Sequence, residues 1–156
     1  MSKNGNKKKQ SQGQVLTCPV QSVKDTKPVI SFKYLHKCSK GDFKYLHKLA
    51  KHNNKKYFEE LQKFLYEADS YTNITDLISA YTSKNSTSGL EKNYYIKELE
   101  KCFKKNYPKD VGLLENGIIH IHTRRGGNGK FVIFGITYEK TFYVLAFDPE
   151  HSFNKH

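Results

Sequence analysis

No apolar run in the sequence approaches the roughly 20 residues that cross a bilayer, and the N-terminus carries no signal-peptide apolar stretch. Membrane attachment is thereby disfavoured, and a cytoplasmic chain with no membrane partner is expected. Cysteine is scarce: Cys18, Cys38 and Cys102 are an odd number at wide spacing, which points to reduced thiols and away from a disulfide framework or a cysteine zinc site. Tryptophan is absent, so Tyr and Phe supply the whole aromatic content of 13%. Most of these rings fall at helical or strand spacing and are read as core, although rings beside a basic surface can stack on exposed bases. Acids are few: 15 Asp and Glu stand against 27 Lys and Arg, a formal net charge of +12. Such an excess asks for a polyanionic partner, nucleic acid, an anionic membrane surface or an acidic protein, and says nothing about fold.

The 156 residues present are enough for one domain with one core. The first 14 residues hold four lysines, no acid and no large apolar residue after Met1, too little apolar surface to offset the entropy of ordering. Residues 1–28 are read as a disordered basic tail and connector, and 29–156 as a single α+β domain with N-terminal helices packed on a C-terminal antiparallel sheet.

Ile30, Phe32 and Tyr34 alternate with Ser31, Lys33 and Leu35, a strand pattern. The hexapeptide Phe32-Lys-Tyr-Leu-His-Lys37 then recurs as Phe43 to Lys48. In the second copy Phe43, Leu46 and Ala50 follow an Asp42 cap at helical spacing, so the two copies are expected to differ in structure. Tyr57, Phe58, Leu61, Phe64, Leu65 and Ala68 predict a helix with a buried aromatic stripe. Asn73 caps a short helix through Tyr81, Ser88-Gly-Leu-Glu91 fits a capping box for another, and Pro108 ends it. The period then changes to two. Ile119 and Ile121 face one way while His120, His122 and Arg124 face the other, and Phe131–Thr137 and Thr141–Phe147 read as two central strands.

Across residues 33–56 eight lysines and three histidines accompany the single acid Asp42, so Lys33, Lys37, Lys40, Lys44, Lys48 and Lys51 are candidates for tracking a phosphate backbone. The segment Arg124-Arg-Gly-Gly-Asn-Gly-Lys130 lacks the spacing of a nucleotide-triphosphate loop, with Phe131 where a hydroxyl would stand. It reads as a hairpin loop whose glycines allow positive φ and close approach of a ligand backbone, and whose three cations can hold a scissile phosphate. His120 and His122 share a strand face, and His151 or Asp148 can complete a metal set. The adjacent Arg124 repels a cation, however, and no supporting carboxylate is evident, so no metal and no cofactor is expected. His151, directly after a central strand, suits general acid or base work near the loop cations. His36, His47 and His52 sit among lysines without a partner pattern and receive no role.

The ending from about residue 108 to 153 resembles the RelE/YoeB group of bacterial toxins, small α+β RNases with basic surfaces. The resemblance rests on Pro108-x-Asp110, Gly117, Arg124-Arg125, the glycine loop, Lys130, the Phe131–Phe147 hairpin, and His151 with Phe153. It departs from the group in having Lys130 for the usual arginine and Phe153 for a tyrosine, so that ring can stack on a base but not move a proton. The Phe-Tyr-x-x-x-x-Asp-Pro-x-His ending at Phe142–His151 is also similar to that of uncharacterised bacterial proteins. The resemblance implies metal-independent cleavage of mRNA by 2′-hydroxyl attack on the adjacent phosphate, with an acidic antitoxin as partner and the ribosome as platform. In its terms Asp110 or Glu115 is the base, His120 or His122 its replacement, His151 the acid, and Arg124, Arg125 and Lys130 stabilise charge, while Phe153 joins the nucleic-acid surface. Two other readings stand beside it: a non-catalytic nucleic-acid-binding accessory protein of a phage or mobile element, and an inhibitor of an acidic protein.

Overall fold

The computed structural model describes residues 27–35, 40–83 and 94–153. The expected basic tail, Lys37 and the Ser88–Glu91 capping box lie outside the described residues, apart from the connector's last two positions. The elements run β1 (Val29–Ser31), α1 (Phe43–Asn53), α2 (Tyr57–Ala68), α3 (Ile74–Tyr81), α4 (Tyr94–Asn106), β2 (Ile119–Arg124), β3 (Asn128–Tyr138) and β4 (Thr141–Asp148). A 3₁₀ segment, Pro108–Asn116, links α4 to β2.

Local signals account for several boundaries. The Asp42 carboxylate accepts the Tyr45 N–H at 2.7 Å and starts α1, and Asn73 accepts the Asp76 N–H at 2.8 Å and starts α3. Proline opens the 3₁₀ segment two residues after α4 ends. The repeated hexapeptide takes two structures: Phe43–Lys48 is helical, whereas the described part of the first copy, Phe32–Leu35, is a turn after β1.

The sheet is mixed rather than antiparallel, with strand order β1-β4-β3-β2. β2, β3 and β4 form the expected antiparallel meander, but β1 joins the outer edge of β4 in parallel, Val29 opposite Thr141 and Ser31 opposite Tyr143. The physical reason is the crossover: all the helices intervene between β1 and the meander, and so long a connection can return the chain in the same direction.

Both sheet faces are covered, which explains why β3 and β4 are apolar on both sides. Leu46, Leu61, Phe64, Leu77 and Tyr81 of α1–α3 pack with Ile121, Phe131, Ile133 and Phe147. Ile96, Leu99 and Phe103 of α4 pack with Val132, Phe134, Ile136 and Leu145 on the other face. Register steps from Phe134↔Ala146 to Gly135↔Val144, leaving Leu145 as the extra residue of a bulge. Two expectations of one-sided patterning need correction. The histidine face of β2 is covered too, His120 being 8% and His122 6% exposed, and the aromatic stripe of α2 leaves Phe58 41% exposed.

Candidate functional site

His120 and His122 leave β2 on the α4 face, and His151 enters the same space from the turn after β4. Their ring centroids lie 5.6 Å apart for His120–His122, 5.6 Å for His122–His151 and 6.1 Å for His120–His151. Asp148 holds the third ring there. Its fully buried carboxylate accepts from the Ser152 N–H, the Ser152 hydroxyl and the Phe153 N–H at 2.8, 3.2 and 2.8 Å, while His151 takes the left-handed conformation at φ 52°. This holding role was not read from the sequence, although an aspartate ending an apolar strand just before proline was its visible signal.

Burial is the first reason the His120 pKa is lowered to about 4, and the neighbouring His122 and His151 rings add to it. Burial also lowers the His122 pKa, against the opposing effect of its hydrogen bond to the Gly129 carbonyl and with a further contribution from His151. The Gly129 carbonyl lies 2.9 Å from His122 Nδ1. A carbonyl can only accept, so the proton sits on Nδ1 and Nε2 keeps a free lone pair. Among the described residues, His120 Nδ1 and His151 Nε2 are buried without a hydrogen-bond partner. Each such atom forgoes about 1–3 kcal/mol relative to a paired one. No group of three or more His, Cys, Asp or Glu side chains among the described residues is arranged to hold a metal ion.

The cations sit around this cluster but not inside it. A cleft of about 430 Å³ opens where β3 begins and β4 ends, lined by Lys55, Lys56, Arg124, Lys130, Gly129 and Glu150 among others. Gly129 both lines the cleft and binds His122, and Glu150 precedes His151, but the histidine rings do not line it: they lie on the α4 face of the sheet, whereas Tyr57 and Phe131 of the cleft belong to the face covered by α1–α3. The expectation that Arg124 shares the face of His120 and His122 is not met. Register shifts between His122 and Arg124, and Arg124 Nε turns to Glu60 of α2 at 3.3 Å, where Thr123 also donates at 2.5 Å. Arg125 Nε lies 4.0 Å from Glu67, its guanidinium 5.7 Å from the Tyr71 ring. Tyr81, its pKa pushed up to about 12 chiefly by burial, stays protonated and donates to Glu67 at 2.8 Å. Sequence reasoning missed Glu60 and Glu67, because two acids seven residues apart on one helix reveal their partners only once α2 lies against the β2–β3 turn.

The remaining candidates lie elsewhere. Asp110 accepts from the Tyr34 hydroxyl at 3.0 Å and pairs with Lys33 at 3.8 Å. The Tyr34 ring packs on Tyr143, which sits opposite Ile136, whereas His120 and His122 sit opposite Phe134 and Val132. Asp110 is thus held toward the other end of the strands and is not brought to the histidines. Glu115 is exposed on the 3₁₀ segment. Lys44, Lys48 and Lys51 are exposed on α1. Lys40 Nζ sits 4.6 Å over the Phe153 ring. Phe153 itself is 6% exposed, 4.2 Å from the Tyr95 ring and stacked at 6.4 Å on Phe134. Its ring is spent on the core, which corrects the expectation that it stacks on a base.

No helix among the described residues is long and apolar enough to cross a membrane. Comparison with known proteins finds no family model, no curated protein and no solved structure that matches this chain significantly.

Proposed function

We propose that the chain is a metal-independent endoribonuclease, a RelE-like toxin that cuts mRNA in the cytoplasm with the ribosome as platform and an acidic antitoxin as restraint. The observation that carries this reading is the convergence of His120, His122 and His151 within 5.6–6.1 Å, joined through the Gly129 carbonyl and the Glu150–His151 peptide to a cleft that presents Lys55, Lys56, Arg124 and Lys130. Two histidines and a lysine suffice for the reaction. With the Gly129 carbonyl holding the proton on Nδ1, His122 Nε2 takes the proton of the 2′-hydroxyl. O2′ attacks phosphorus, the P–O5′ bond breaks, and His151 donates a proton to the departing O5′. The products are a 2′,3′-cyclic phosphate and a 5′-hydroxyl. This assigns the base to histidine and leaves Asp110 outside the reaction.

Lys130 and Arg124 stabilise the charge that develops on the phosphate. Arg124 remains available because its ion pair with Glu60 is 65% exposed on the arginine side, and such pairs contribute about 1 kcal/mol or less. The burial of His120 and His122, 8% and 6% exposed, favours the second reading, a protein that grips nucleic acid without cutting it.

Incubation of the purified protein with single-stranded RNA, free in EDTA and, in a second arm, carried as mRNA on ribosomes, distinguishes the two. Cleavage to cyclic-phosphate ends is expected, with His122→Ala and His151→Ala each lowering kcat by about 10² or more. RNA left intact in both arms that is nevertheless bound would establish the non-catalytic reading, and cleavage undiminished in both variants would remove the histidines from the mechanism.

A further inference from the structure

The cleft accounts for the phosphate but not for the bases on either side of it. Phe58 lies in the first turn of α2, two residues after Lys56, which lines the cleft. It is 41% exposed, and the His47 ring of α1 stands 6.3 Å from it at 57°. At that tilt the rings are not stacked on one another, so each keeps a face for another aromatic plane. One turn before His47, Phe43 is 42% exposed. A lone exposed ring is ordinary. Here, however, exposed aromatic rings stand beside Lys44, Lys48 and Lys51, which recur at i, i+4 and i+7 on α1, and beside Lys55 and Lys56. The nearest acid on α2, Glu59, is paired with Lys56 at 3.4 Å. A basic surface carrying exposed rings is complementary to a polyanion whose planar groups are unstacked.

We propose that Phe58 and His47 form a base-stacking platform for single-stranded nucleic acid, placed so that a strand with one phosphate in the Lys130 cleft lays a neighbouring base on these rings. The inference rests on the reading that the cleft holds a nucleic-acid strand, but not on cleavage.

A single-stranded 2′-O-methyl oligoribonucleotide carrying 2-aminopurine separates the two questions, since it lacks the attacking hydroxyl. The wild-type chain is expected to bind it and to quench its fluorescence, because stacking quenches 2-aminopurine. Phe58→Leu should lose about tenfold in affinity together with most of the quenching, while Phe58→Trp retains both. His47→Ala should show a smaller loss of the same kind. Undiminished binding and quenching by Phe58→Leu, with the wild-type chain binding the strand, would overturn the platform alone. Failure of the wild-type chain to bind any strand would overturn the platform and the nucleic-acid reading together. Equal affinity for a duplex would also overturn it, because paired bases offer no free face, and a Phe58 surface that instead mattered only for binding a protein would do the same.

Discussion

A histidine held neutral by its surroundings ties the site to the stability of the fold. An unfolded chain protonates His120 near pH 6.5, whereas the folded chain does so only near 4, so between these values the folded state binds fewer protons. The stability that this difference confers is present in full above pH 6.5 and is lost as pH falls toward 4. It amounts to about 3 kcal/mol, and His122, shifted in the same direction, adds to the same window. Urea denaturation at pH 7 and pH 4.5 checks this: the wild-type midpoint should drop more than that of His120→Gln, and equal drops would mean that the ring is solvated. At this scale the sequence was informative about residue types. The three histidines stood out from their spacing around the strands, but the Gly129 carbonyl that sets the His122 tautomer is a backbone atom with no signature in sequence. Phe153 misled for a related reason, since a terminal aromatic looks the same whether it faces solvent or, as here, fills a gap between Tyr95 and Phe134.

The β2–β3 turn shows how an element constrains the residues it carries. Gly126, Gly127 and Gly129 all have positive φ, at 74°, 67° and 85°. Read from sequence, such glycines admit a ligand backbone, but at Gly127 the approaching backbone is the chain's own. A Cβ there would lie 2.3 Å from Ser83 N, whereas at Gly126 it would meet only the Asn128 side chain at 3.2 Å. Gly126→Ala is therefore expected to cost about 1 kcal/mol, the left-handed penalty alone, and Gly127→Ala about 3 kcal/mol because the segment after α3 must also move. Chemical denaturation of the two variants tests this, and equal costs would show that the contact with Ser83 is absent. Helices α1 and α3 and the central hairpin were legible because caps and apolar period act within a few residues. The place of β1 was not, since its partner Thr141–Tyr143 lies 112 residues further along, and three residues carry no record of direction.

The net charge of +12 acts on the whole molecule. Binding of the 2′-O-methyl strand should weaken with salt by counterion release, with a slope of about −0.7 for each phosphate neutralised, hence about −3 if Lys55, Lys56, Arg124 and Lys130 each meet one. Replacing Lys55 and Lys56 by glutamine should reduce the slope by about 1.4, measured as log K against log salt. A slope near zero would mean that the cleft does not hold a polyanion. Arg125 lies against Glu67 of α2 at 4.0 Å and outside this cleft, so counting cations in the sequence overstates how many meet a ligand.

Periodicity, caps and charge balance by themselves determined the α+β class, the meander at the end, a basic chain and a short list of groups able to move protons or hold phosphate, because each depends on neighbours within a turn or a strand. Only the tertiary structure decided which of those groups meet. It packed helices on both sheet faces, drew His120, His122 and His151 together, sent Asp110 to Tyr34 and the arginines to α2, and left Phe58 beside His47 at the surface. The physical reason is that convergence depends on register, on a bulge and on the direction of a crossover. These are settled by packing between segments far apart in the chain, and no single segment encodes them.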